Sequence, residues 1–430
     1  MVLALGRWGL ACLLAVAFIF AAPAGALAED GWKPLVAELF QSYPGLEAQR
    51  NLVKSLEPLP EAKTAWDDPM IEFGLMSAPV DGFRLDKEDM TQKTIGIRQD
   101  IPSLSIRNAE KAMAEVDISM ARWKTRMLAA ELVAQLKMGV YEIHYVDKAL
   151  ETLAGTGEIL EEFILIANAK YAAGRGMQAS VIQAQLEKSR LYERELALKE
   201  KRGLLAVRIN RLLGRAPSPE FSMPGGLIET VPEPDPQGEW KLAESGSPEI
   251  GFMAAMLELA KKSLAKSEAE KGFNFSISAE YGQREDNPME RPDLLSLKGS
   301  MSVPLWSSQK QDRYIAGARA AVEEAESRKR EAVERVKAAV ESAALSMKKE
   351  IRTINLYKNG ILPQAEQALN SARASYELDR VDFLTLLTTE QMLLEYRLMM
   401  EESYMKLRSL SAELEALTGA VIAQGELDHE

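Results

Sequence analysis

The chain has 430 residues, a formal net charge of -12, two histidines (His144 and His429) and one cysteine, Cys12. The acidic balance excludes a nucleic-acid partner, which needs clustered Lys and Arg against phosphate, and so few His and Cys exclude zinc, copper and haem sites built from them. Leu, Ala, Glu, Lys and Arg dominate and aromatics are only 7%, the composition of long helices rather than of an enzyme.

At the N-terminus, Arg7 precedes an apolar run over residues 8–22, and Ala26-Leu27-Ala28 follows. A basic start, a short apolar run and an A-x-A site predict a secretory signal over residues 1–28. Cys12 lies inside the run, too early for a lipoprotein box, and is read as incidental. No later stretch has the length and apolarity of a membrane helix, so any membrane span must be made of strands.

A short amphipathic helix is predicted over 32–41, broken by Ser42-Tyr43-Pro44-Gly45, with a second helix running to Trp66. Proline suits the first turn of a helix, where its missing N–H is unpaired in any case. Alternating runs follow at residues 69–77 and 93–101, for example Thr94-Ile95-Gly96-Ile97-Arg98-Gln99, with a turn-rich loop between them. Period-two alternation on both sides of a loop predicts a hairpin. After Ile101-Pro102 a helical pattern runs from 103 to 173, on the order of 100 Å, with Gly155 expected to interrupt it. Gly174-Arg175-Gly176 turns the chain, and a shorter helix returns over 177–213 to Gly214.

The same order then recurs. Ser247-Pro248-Glu249 opens a helix, with the acid suited to its positive end. Strands are predicted at 273–281 and 295–303, a long helix over 305–378 with a break at Gly360 and Pro363, a turn at Asp379-Arg380-Val381, and a return over 382–417. A shift of 205 positions lays Tyr376 on Tyr171, Arg380 on Arg175, Gly360 on Gly155 and Gly419 on Gly214. A repeat of this length marks a duplicated unit. The expected divisions are repeats at 29–215 and 241–420, a linker at 216–240 with six prolines, and a tail at 421–430. Each return helix covers half of its long helix. The helix from Pro248 is expected to complete the first half, and that from Pro44 the second.

The fold class is therefore mainly α with a small β part: duplicated long helical hairpins plus four transmembrane strands per chain. Four strands cannot close a barrel, and an open edge leaves backbone groups unpaired in lipid. Three chains supply twelve strands, which can close, over a tube of twelve helices.

The chain resembles the TolC-like outer-membrane efflux proteins, and most of all the outer-membrane components of resistance-nodulation-division and heavy-metal exporters. The carrying residues are Asp68-Pro69-Met70-Ile71-Glu72, Thr94 to Pro102, Ser247-Pro248-Glu249-Ile250 and Tyr376 to Gln391. Two departures stand out: Asp379 replaces the glycine of a Tyr-x-x-Gly pattern that Gly174 keeps, and Ser103-Leu104-Ser105 replaces a Gly-Gly-Lys-like turn. The resemblance implies a homotrimer in outer-membrane lipid with a long periplasmic extension. It would be a passive exit duct docked to a periplasmic adaptor (membrane fusion) protein and an inner-membrane pump, with no cofactor and no enzymatic activity. Its periplasmic tip would be gated, or docked to the adaptor, by Tyr171, Gly174, Arg175, Tyr376, Asp379, Arg380 and Asp382. Blander roles for the same residues are packing for the tyrosines, helix-end solubility for the arginines and helix capping for the aspartates. Met399, Met400 and Met405 read as core rather than as a metal site. The alternative readings are a periplasmic adaptor or a coiled-coil scaffold of an export complex.

Overall fold

The computed structural model describes residues 31–420 except 81–84, 87, 229 and 287–289. The predicted signal segment and tail, with Cys12 and His429, lie outside the described residues.

Two copies of one unit run through the chain. The first begins with α1 (Lys33–Ser42), α2 (Pro44–Leu56) and the short α3 (Leu59–Ala62), followed by β1 (Met70–Met76) and β2 (Gln92–Ile101). The long α4 (Leu104–Ala172) descends from the sheet and α5 (Gln178–Leu212) climbs back. The second unit repeats this as α6 (Pro236–Gly246), α7 (Pro248–Ala269), β3 (Asn274–Gln283), β4 (Leu294–Ser302), α8 (Gln311–Leu356), a π-helical turn (Tyr357–Ile361), α9 (Leu362–Glu377) and α10 (Phe383–Thr418). The return helices end alike. Gly214 and Gly419 both hold positive φ, where a Cβ would be strained. A side chain on Gly214 would also strike the Ser42 backbone, and one on Gly419 the Gly246 carbonyl. Each return helix thus docks on the break between the first two helices of its own unit.

The sheet is an antiparallel meander in the order β1-β2-β3-β4. The β2–β3 pairing, Ile95 opposite Tyr281 and Ile97 opposite Ala279, joins the two units. Strand side chains alternate between faces, and the register sorts them cleanly. Phe73, Ile95, Tyr281 and Leu295 share one row of one face, and Ile71, Ile97 and Leu297 share the next. All seven are exposed. The opposite face carries Glu72, Thr94, Arg98, Ser278, Glu280 and Lys298, with Lys298 paired to Glu280 at 2.6 Å. Among the described residues, no strand pairs with the outer edge of β1 or of β4.

Below the sheet the helices are held by apolar contact. One cluster packs Trp32, Leu39, Leu136, Ile209 and the linker residues Phe221 and Leu227 where α1, α4 and α5 meet. A second, lower cluster packs Leu160 and Phe163 of α4 against Leu386 and Leu393 of α10, tying the two hairpins together. Each fully buried side chain of this size contributes about 1.5–3 kcal/mol.

Four details bear on the sequence-based expectation: three depart from it, and the break expected at Gly360 is found. First, α4 runs unbroken through Gly155 and the nearby Gly157, because a glycine leaves the i→i-4 bonding intact and costs only about 1 kcal/mol. Second, at the matched Gly360 the helix widens into the π turn, in which the Leu362 N–H bonds the Tyr357 carbonyl. Pro363, absent from the first unit, has no N–H to give, and the wider turn absorbs the missing bond. Third, α8 starts at Gln311 after a turn at residues 305–310, six residues later than the pattern predicts. Fourth, α2 packs on α4 rather than completing the second unit. It leads directly into β1, which sits at the opposite edge of the sheet from β4 and α8.

Candidate functional site

The two hairpin tips lie side by side at the end remote from the sheet. Their backbones match bond for bond. At the first, Gly174 N–H donates to the Tyr171 carbonyl at 3.0 Å and Arg175 N–H to the Lys170 carbonyl at 2.9 Å. At the second, Asp379 N–H donates to Tyr376 at 3.1 Å and Arg380 N–H to Ser375 at 2.9 Å. This is the helix stop in which one residue adopts the left-handed conformation. That residue is Gly174 (φ 70°) in one turn and Asp379 (φ 57°) in the other. The glycine of the first tip is thus replaced in the second by an aspartate that accepts the same strained backbone.

The side chains differ far more than the backbones. Tyr376 is buried at 7% exposure, stacked edge-on against Phe383 at 5.6 Å, whereas its twin Tyr171 is 48% exposed. Lys170, from the first hairpin, reaches across to the second. Its Nζ donates to the Tyr376 carbonyl and pairs with the Asp379 carboxylate. It also stands 4.3 Å from the centre of the Tyr376 ring, a cation–π contact of about 1 kcal/mol. One lysine thereby joins three groups of the other hairpin. The hydrogen bond from Lys170 holds the Asp379 carboxyl below the usual carboxylate range, and the Arg175 charge adds to that pull. Burial, followed by the Asp379 charge, pushes the Tyr376 phenol up.

Asp382 acts differently. It is the N-cap of α10, accepting from Thr385 N–H at 2.9 Å and from Thr385 Oγ1 at 2.5 Å. These bonds hold its carboxyl low. Met177, at the matched position, makes no side-chain cap. Arg175 and Arg380 are exposed, and the Arg380 side chain has no partner among the described residues.

Of the seven residues singled out from sequence, Tyr376 and Asp379 meet at one contact and Arg175 bears on it electrostatically. Tyr171 and Arg380 stand apart on the surface. Lys170, the residue that makes the contact, was missed: its matched position is Ser375, so the repeat carries no mark of it. Above the tips, Arg373 pairs with Glu162 at 2.8 Å and Arg194 with Glu395, again linking one hairpin to the other. Among the described residues no group of three His, Cys, Asp or Glu side chains could hold a metal ion. Met399 takes a hydrogen bond from the Tyr357 hydroxyl at 3.3 Å. No described helix is long and apolar enough to cross a membrane.

Two long hairpins, a four-stranded meander with one apolar exposed face, and paired tips define the fold of the TolC-like outer-membrane efflux channels. Solved structures agree. The outer membrane protein VceC from Vibrio cholerae superposes with a TM-score of 0.75 at 17% identity, over 90% of this chain and 95% of that one. CusC gives 0.75 at 12% identity, over 90% and 92%. The outer-membrane channel OprN gives 0.73 at 14% identity, over 90% of each. No protein-family model matches the chain, and no protein of curated function matches it in sequence.

Proposed function

We propose that three copies of this chain form an outer-membrane channel, the exit duct of a tripartite efflux system. The channel would pass substrate delivered by an inner-membrane pump and a periplasmic adaptor. The observation that carries this reading is the sheet. Its apolar face, with Phe73 78% exposed and Leu297 77% exposed, covers nothing in the chain. A face of that size suits lipid and is out of place on a soluble rod. Both sheet edges are open, and lipid demands that they pair. Twelve strands from three chains meet both requirements and put Glu72, Arg98, Glu280 and Lys298 on the water-filled inside. Closing the ring also brings β1 of one copy beside β4 of the next. That places α2 against the α8 of another copy, beside the α7 and α10 that α8 already meets in its own chain.

In this reading the helices continue the barrel as a tube through the periplasm, and the paired tips are its far end. The Lys170–Tyr376–Asp379 contact, repeated three times, holds the end together. Arg175, Arg380 and Tyr171 face the adaptor or a neighbouring copy. Met70 to Met76 and the other three strands would sit within the outer membrane. An adaptor would use one helical hairpin and needs no lipid-facing sheet, so the sheet favours the duct.

The test is fractionation of the membranes of cells making the protein, followed by detergent extraction and chemical crosslinking. The expected result is a trimer in the outer membrane. A soluble monomer, or one attached to the inner membrane, would sink the duct and favour the adaptor.

A further inference from the structure

The lower core holds one group that has no place in an apolar cluster. Glu390 of α10 is 2% exposed and lies among Leu386, Leu387, Leu393 and Leu394. Neither of its carboxylate oxygens has a hydrogen-bond partner. The Thr156 hydroxyl of α4 is beside it, also unbonded, at 4% exposure. It is near enough to ease the charge on the carboxylate, but no bond of normal geometry is completed. A buried carboxyl left unpaired is costly in its charged form and much less so when neutral.

The surrounding cations do not compensate. On α10 and α9, Arg397 is the cation that Glu390 feels, and it is already paired with Glu366 at 3.0 Å. On α4 and α9, Glu162 holds Arg373 at 2.8 Å. On α5, Lys188 is taken by Glu161 at 2.6 Å and Arg194 by Glu395. Glu158 of α4 is exposed. Burial therefore dominates and pushes the Glu390 carboxyl up.

Near this level α4 carries two glycines and the second hairpin its π turn. Thr156 is flanked by Gly155 and Gly157, and a Cβ on either would meet nothing. Neither glycine is there for close packing; α4 stays helical through both, each at a propensity cost of about 1 kcal/mol. The π turn at Tyr357–Ile361 lies close above Glu366 on the neighbouring helix. The glycines of α4, the buried acid of α10 and the π turn thus lie in three adjoining helices between the tips and the upper core.

We infer that Glu390, Thr156 and the π turn form a proton-controlled joint, at which the lower hairpins pack tightly when Glu390 is protonated and loosen when it is ionised. The sign follows from linkage. A carboxyl raised on packing binds its proton more tightly in the packed state. Packing is therefore favoured at low pH, and the advantage is lost as pH rises through the raised value. Each unit by which the carboxyl is held above its ordinary value is worth about tenfold in the opening equilibrium. In the proposed duct, the swing of this joint would move the tips.

Hydrogen exchange of the full-length protein, corrected for intrinsic rate, tests the joint without assuming a channel. Amides of 152–160 and 386–394 should lose protection as pH rises from the ordinary carboxylate range towards neutrality. Glu390→Gln should keep them protected throughout, with a flat profile. Thr156→Val, which spares the carboxyl and removes the hydroxyl that eases its charge, should deepen the loss at neutral pH and extend it to higher pH. If the wild type and Glu390→Gln share one profile, or if protection rises with pH, the joint is overturned. Channel conductance over the same range reads the duct separately: a pH-dependent joint in a protein that conducts nothing would spare this inference and end the duct.

Discussion

The two hairpin tips have one backbone and two chemistries. Both turns close with the same pair of hydrogen bonds, and both place a left-handed residue at the same step. Yet the first tip ends in an exposed tyrosine and a glycine, and the second in a buried tyrosine, an aspartate and a capped helix. The difference teaches where a duplicated fold keeps its constraints. Turning a helical hairpin needs only backbone geometry, so both copies retain it. Holding two hairpins together needs an unlike pair, and here the first supplies the cation and the second its ring, carbonyl and carboxylate.

Several changes would break or sharpen that contrast. The largest effect is expected from Lys170→Met, which keeps the length of the side chain and removes the contact across the tips. Loss of the cation–π term alone is about 1 kcal/mol per protomer. In a trimer opening as a unit this becomes a rise on the order of 100-fold in the ratio of open to closed tips, read as open probability in single-channel recordings. An unchanged open probability would mean that the contact is bystander packing.

Gly174→Ala should come next. Forcing an ordinary side chain into the left-handed region costs about 1–2 kcal/mol, measurable as earlier chemical unfolding of the first hairpin. Gly174→Asp should be milder than Gly174→Ala, since aspartate tolerates that conformation at the matched turn. If the alanine variant is as stable as wild type, the shared strain is not real.

A smaller effect is expected from acid. Asp379 is held low chiefly by Lys170. A depressed carboxyl stabilises at pH above its ordinary value, about 4. That help is lost as pH falls through the depressed value. The tips should therefore loosen below the ordinary carboxylate range, the reverse of the effect assigned to Glu390, and Asp379→Asn should be insensitive there. The smallest change is Met177→Asp. It gives the first return helix the cap that Asp382 gives the second and should add about 0.5–1 kcal/mol to thermal stability.

Much of this was legible in the sequence. The alternating runs fall within a residue or two of the four strands, since period two with one exposed apolar face leaves little choice of register. The long helices and their turns follow from apolar spacing and from Gly174, Gly214 and Gly419. What could not be read were events set by neighbours. Gly155 and Gly360 look equivalent, yet only Gly360 has Pro363 beside it, and the helix yields only there. Asp379 could be placed at the turn, but its partner lies 209 residues away, with nothing at the twin position to announce it. Glu390 reads as one more acid on a charged helix until burial is known. Within the chain α2 meets α4 rather than α8, because strand order, not helix length, sets which long helix of its own chain lies beside it.

The most direct test of the duct is single-channel recording from the purified, crosslinked trimer in a planar lipid bilayer. The account predicts discrete conductance steps of low open probability, raised strongly by Lys170→Met. A correctly assembled trimer that inserts and conducts nothing in either form would contradict it.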